Sequence, residues 1–152
     1  MDIRGKDVIS VILFLMETKD AGYREIEHTA DWSLQVWAPD LNTLFEQAAL
    51  GMNVLSETEL EVSPRHSRKI RLDALDDESL LVAFLNELVF IGESENLGFD
   101  SFEVMVQDHQ LSAQLSGAIF ANRNKEIKAV TYHNLEINSS PNGFEVEIVF
   151  DV

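Results

Sequence analysis

Leu80-Leu81-Val82-Ala83-Phe84-Leu85-Asn86-Glu87-Leu88-Val89-Phe90 is the stretch on which the fold turns. Asp76 or Asp77 can cap it at the start and Gly92 can end it, so it predicts a helix. Apolar residues surround most of its circumference, which predicts burial between layers and a central place in the core. Upstream, Thr43 and Glu46 have capping-box spacing, and Leu44, Phe45, Ala48, Ala49, Met52 and Leu55 recur at helical intervals. They predict an amphipathic helix over about residues 43–53.

Outside these two segments the period falls towards two. Tyr23 to Glu27 alternates, His28-Thr29-Ala30-Asp31 interrupts, and Trp32, Leu34 and Val36 then share one face up to Pro39-Asp40. Between the helices, Arg65-His66-Ser67-Arg68-Lys69-Ile70-Arg71 reads as a strand with Arg65, Ser67, Lys69 and Arg71 on one face, the pattern of a solvated or charge-managed surface. After the acidic Glu93-Ser94-Glu95-Asn96 and Gly98, Phe102, Val104 and Val106 alternate. Asp108-His109 makes a tight turn, and Leu111, Ala113, Leu115 and Gly117 alternate back. A strand from Ile127 to Asn138 and a turn at Ser139-Ser140-Pro141-Asn142-Gly143 lead to the last apolar face, Phe144, Val146, Ile148 and Phe150. The order is two strands, a helix, a strand, a helix and four strands. It predicts an α+β fold in which a largely antiparallel sheet or sandwich packs with two helices.

The 152 residues suit one domain, and 45% hydrophobic with 25% charged residues lies in the globular range. Without cysteine there is no disulfide framework, thiolate metal site or Cys nucleophile. A net charge of −16, from 27 acidic against 11 basic residues, opposes direct non-specific binding to nucleic acid and favours a cation or a basic protein surface as partner. Residues 1–22 read as an N-terminal extension and 23–152 as the domain. Within the extension the apolar run Val8 to Met16 is too short to span a bilayer and lacks a small-residue cleavage site. Met16 offers an alternative start, and the whole favours a cytoplasmic protein without a membrane partner.

Chemistry concentrates in two places. Lys125-Glu126-Ile127-Lys128-Ala129-Val130-Thr131-Tyr132-His133 packs Lys128, Thr131, Tyr132 and His133 into one segment. On a strand, Lys128 and Tyr132 would share a face and Lys128 and His133 would not, which argues against a Lys–His pair. Asp31, at the end of the interruption, and Asp151, beside the carboxylate of Val152, stand at strand ends. Were those ends to meet, the carboxylates would repel one another and call for a divalent cation. All-oxygen ligation suits calcium first, then magnesium or manganese, and His28 could join. His66 and His109 read as surface residues. No phosphate loop, nucleophile elbow or Ser-His-Asp order is present, so enzyme chemistry is poorly supported.

His28-Thr29-Ala30-Asp31, Phe45-Glu46-Gln47-Ala48-Ala49, the Lys125–His133 block and the ending Val149-Phe150-Asp151-Val152 together resemble the archease family, over about Tyr23 to Val152. The resemblance implies a small acidic protein cofactor, not itself an enzyme, of a GTP-dependent RNA ligase of the RtcB type in tRNA splicing and RNA repair. Such a cofactor promotes guanylylation and multiple turnover of the ligase. By motif, Asp31 and Asp151 match the family's metal-binding acids with Val152 adding oxygen, and Lys128 matches a basic position tied to activation. The partner would be the ligase, with RNA reached only through it. A chaperone-like binding module with a structural ion is the alternative. A metal-dependent hydrolase would need a base near the acids, and only His28 is offered.

Overall fold

The computed structural model describes residues 20–27 and 32–152. Strands β1 (Gly22–Glu27) and β2 (Trp32–Ala38) are followed by helix α1 (Leu41–Leu55), strands β3 (Thr58–Leu60) and β4 (His66–Asp73), and helix α2 (Asp77–Glu95). The chain then forms β5 (Leu97–Gln107), β6 (Gln110–Arg123), β7 (Ala129–Val130), β8 (Asn138–Ser140) and β9 (Gly143–Asp151). The strands make two sheets: β1-β2-β9-β7 with β8 also on β9, and a second in which β6 pairs with β3, β4 and β5. Every pairing among the described residues is antiparallel, and the fold is α+β as the periodicities predict. No helix among them is long and apolar enough to cross a membrane.

Both helices touch both sheets: α1 packs on β1, β2 and β9 but also on β5, and α2 packs on β4 and β5 but also on β7. The core is therefore continuous. Phe84 of α2 stacks on Phe45 of α1 with centroids 6.1 Å apart and meets Phe102 of β5 edge-on at 6.5 Å. Leu34, Val36, Ile148 and Phe150 close it from the first sheet and Leu115 from the second. Each such side chain stabilises the fold by roughly 1.5–3 kcal/mol through burial. As expected, α2 is buried over most of its surface, although Phe90 is 61% exposed.

Three expectations about boundaries are corrected. Helix α1 starts two residues earlier than its Thr43/Glu46 spacing suggests. Asp40 is the cap, its Oδ1 accepting from the Thr43 N–H at 2.7 Å, so Thr43 lies inside the first turn. Helix α2 is capped by Asp76, which accepts from the Ser79 N–H at 2.7 Å, but Gly92 does not end it. The glycine instead lets Phe120 and Arg123 approach, since a Cβ there would lie 3.2 Å from Arg123 Nη1 and 3.3 Å from Phe120 Cε2. The acidic Glu93–Glu95 continues the helix to Asn96, whose left-handed φ of 55° makes the cap.

The third correction bears on the site. Of the strand expected from Ile127 to Asn138, only Ala129–Val130 and the last residue, Asn138, pair, because the chain turns over Tyr132–Leu135, where the Leu135 N–H donates to the Tyr132 carbonyl at 3.1 Å and Asn134 has φ 52°. Strand pairing resumes in β8, and β3 is a further short strand that its residues did not announce. The hairpin at Asp108-His109 is as expected, both residues having positive φ (52° and 60°), the geometry of a two-residue type I′ turn.

The basic stripe also resolves. Within β4, Ser67, Lys69 and Arg71 face outward, alternating with half-buried His66, Arg68 and Ile70. Arg65 binds Asp100 through two hydrogen bonds (2.6 and 3.1 Å) and Arg68 binds Glu95 likewise (2.7 and 2.9 Å). The hydrogen bonds from each guanidinium hold Asp100 and Glu95 below the usual carboxylate range. These arginines tie α2 and β5 to the sheet.

Candidate functional site

The candidate site lies where β9 ends. Phe150 is buried between Trp32 of β2 on one side and Val130 of β7 on the other, and the next residue, Asp151, pairs with Ala129. Alternation puts Val146, Ile148 and Phe150 into the core, so Asp151 turns its side chain to solvent, where Val152 also lies. Asp151 and Val152 thus stand at the end of a paired strand and remain accessible.

Lys128 is brought to the same place by its backbone. Its N–H donates to the Asp151 carbonyl at 2.8 Å, and its side chain is exposed. Two residues beyond β7's start, Thr131 anchors twice on the Val149 carbonyl, through its N–H (3.0 Å) and its hydroxyl (3.1 Å). The hydroxyl also accepts from the His133 N–H at 3.2 Å, and the Asn134 amide lies 3.3 Å from His133 Nε2. Lys125 places its ammonium 5.3 Å from the centroid of Trp32, a cation–π contact at the first residue of β2.

On its other side the segment runs along α2 in the opposite direction. Arg123 lies against Gly92, the side chain of Asn86 bonds both the N–H (2.8 Å) and the carbonyl (3.2 Å) of Val130, and Glu78 accepts from the Ile137 N–H at 3.1 Å. A cavity of about 40 Å³ lies beside it, lined in part by Ile127, Leu88, Phe102 and Arg123. The segment is a strap, held between a strand and a helix, with Lys128, Tyr132 and His133 all exposed. The common face expected for Lys128 and Tyr132 rested on a continuous strand, which the turn breaks.

Of the residues singled out by sequence, Asp151, Val152 and Lys128 come together here. His28 and Asp31 lie outside the described residues, and so does the expected meeting of Asp31 with Asp151. Among the described residues no three His, Asp or Glu side chains form a group able to hold a metal ion. The chemistry of the donors present is nonetheless that of a hard cation, which takes carboxylate and carbonyl oxygens and commonly six to eight of them. His109 is exposed as expected, its Nδ1 3.0 Å from Asp77 Oδ1 at the start of α2. Asn86 and Glu78 were not anticipated, and Thr131, singled out as a chemistry-bearing group, serves here to anchor the segment on β9. The one available signal was an Asn in the middle of the apolar run Leu80–Phe90.

Among the described residues, Asp151 and Lys128 thus stand side by side at an exposed strand end of an α+β scaffold. Residues 23–152 match the model of the archease protein family (MTH1598/TM1083), and the chain belongs to that family. Protein archease of Methanosarcina barkeri is 33% identical over 147 residues, covering 90% of this chain and all of the relative, and that of Thermococcus kodakarensis is 30% identical, covering 80% and 91%. In solved structures, protein 1598 of Methanobacterium thermoautotrophicum matches with a TM-score of 0.65 at 28% identity over 86% of this chain and 99% of that one. An archease from Thermotoga maritima, described as a possible chaperone, shares the fold with a TM-score of 0.65 at 20% identity over 85% and 96%.

Proposed function

We propose that this protein activates a GTP-dependent RNA ligase of the RtcB type, promoting its guanylylation and multiple turnover through the acidic end of β9. The observation that carries the reading is the pairing of Lys128 with Asp151 at an exposed strand end in a member of the archease family. Asp151 and the oxygen-bearing end at Val152 would hold a divalent cation, calcium in the first instance, together with Asp31. Asp31 is the covalent neighbour of Trp32, whose register partner is Phe150. Such an ion supplies positive charge where carboxylates would otherwise repel one another and where phosphate oxygens gather.

The chain's own residues present and position. The buried Phe150 fixes the strand end, the bond from Lys128 to Asp151 keeps the ammonium-bearing residue beside it, and the exposed faces of both are free to enter a partner's active site. Catalysis of nucleotidyl transfer is largely positioning and charge, and a docked protein can add both without being an enzyme. With a net charge of −16, contact is expected with the ligase and not directly with RNA.

GTP-dependent guanylylation and RNA joining by the matching ligase, with substoichiometric wild type, Asp31→Ala or Asp151→Ala, test the reading. Stimulation by the wild type that is lost in both variants is expected. Normal stimulation by either variant overturns the ion site. No stimulation by the wild type leaves the second reading, a chaperone-like binding module with a structural ion, which the description of the Thermotoga relative as a possible chaperone favours.

A further inference from the structure

We infer that Asn86 is a positioning residue for Lys128, acting as a clamp that holds the strap against β9; the inference rests on the proposed role of Lys128 in activation. Val130 is only 4% exposed, and its N–H and carbonyl are met by a helix side chain in place of another strand. Asn86 Oδ1 accepts from the Val130 N–H at 2.8 Å, and Asn86 Nδ2 donates to the Val130 carbonyl at 3.2 Å. A primary amide is suited to this because it carries a donor and an acceptor side by side, as a peptide group does.

The clamp is needed because β7 is two residues long and irregular chain flanks it on both sides. Lys128 and Thr131, immediately before and after that pairing, each give one backbone N–H to β9. A two-residue pairing does not hold itself in register, and the turn over Tyr132–Leu135 pulls away from the sheet. Asn86 supplies the restraint from the opposite side. It stands on the buried middle of α2, between Leu85 (fully buried) and Leu88 (8% exposed), and so transmits the rigidity of the core to an exposed lysine. Glu78 secures the far end of the strap, but at Ile137, well beyond Lys128 in sequence.

Amide hydrogen exchange on the full chain tests this without the ligase, using Asn86→Leu, which removes both bonds, and Asn86→Asp, which keeps the acceptor for the Val130 N–H and removes the donor. Losing the bonds to a buried backbone group raises exchange about tenfold or more. Lys128 and Thr131, which do not touch Asn86, are expected to exchange faster in the order wild type, Asn86→Asp, Asn86→Leu, with core amides such as that of Phe84 unchanged. The decisive pattern is whether acceleration spreads. If Val130 alone accelerates, or if Lys128 and Thr131 keep their wild-type rates in both variants, Asn86 makes only a local bond and the inference fails. Should Asn86→Leu not fold, Asn86→Asp decides by the same two amides. In the ligase assay the variants are expected to lower maximal stimulation towards that of Lys128→Ala. Unchanged maximal stimulation with a loosened strap also overturns the role, whereas absence of stimulation by the wild type removes the activation reading and leaves the exchange result standing.

Discussion

The two sheets are each organised around one long strand, and they differ in what flanks it. β6 has β5 along one side and β4 along much of the other, with ten and eight residues in register. β9 has seven residues of β2 on one side, but on the other only the fragments β7 and β8, separated by the turn over Tyr132–Leu135. The regular sheet carries ion pairs and polar rows that hold the fold. The interrupted one exposes Lys128, Tyr132, His133 and Asp151, because chain that leaves a sheet edge can present side chains that a continuous ladder would commit to its two faces.

Breaking the shared core should erase the difference between the sheets. Phe84→Ala removes the ring that joins Phe45 to Phe102, and a loss of about 3–5 kcal/mol is expected in urea unfolding, both sheets melting together. A core that failed independently under each sheet would instead give two transitions.

Disturbing only the regular sheet comes next. Gly117 faces the bulge between Phe99 and Ser101, and a Cβ there would run into the Gly98 carbonyl oxygen, so Gly117→Ala forces backbone to move. The expected loss is about 1–3 kcal/mol, and the ion binding proposed at Asp151 should survive if the variant is assayed below its melting temperature.

Acid provides a smaller, graded perturbation. Asp76 is held below its ordinary value first by the backbone hydrogen bond from Ser79, Glu95 by Arg68 and Asp100 by Arg65. Folded-state values below the unfolded ones mean that this stability is present at neutral pH and is lost as pH falls from about 4 through the depressed values. Glu46, raised by burial and then by Asp40, acts in the opposite sense and at higher pH, its cost at neutral pH being relieved as pH falls through the raised value towards the ordinary one. Replacing Arg68 with Ala should flatten the acid limb of melting temperature against pH. At neutral pH it should change stability little, because the pair is partly exposed and screened by solvent. An unchanged acid limb would show that the pair does not bind protons differently in the folded chain.

The smallest effect on stability should accompany a large one on function. Lys128→Ala removes an exposed side chain but keeps the backbone bond to Asp151, so stability should stay within about 0.5 kcal/mol of wild type. Stimulation of the ligase should nevertheless fall to the level seen without the protein. Retained stimulation would place activation elsewhere on the strap, with Tyr132 or His133 as the next positions to replace.

Much of this architecture was legible because it is local. Asp76 precedes an apolar run and caps it, alternation in Trp32–Val36 and Phe144–Phe150 places their faces correctly, and Asp108-His109 marks a hairpin. The errors share one origin. Thr43/Glu46 and Gly92 carry local signals of helix ends, yet Asp40 sits in the better capping geometry and Gly92 makes room for the Phe120 ring and the Arg123 guanidinium packed close to it. Likewise the β-branched residues of Ile127–Ile137 favour extended chain, but their hydrogen-bond partners lie elsewhere, Val130's being Asn86, 44 residues earlier.

The amino-acid sequence by itself determined the α+β class, the two helices, the alternating faces, the acidic charge and the motifs that mark the family, since each depends on residue type and spacing within a few turns of chain. Only the tertiary structure decided that Lys128 meets Asp151, that the segment between them and α2 is a strap and not a strand, and that Asn86 closes it. Those contacts satisfy backbone donors and acceptors across long separations, and a buried peptide group is bound by whichever partner the packing brings to it.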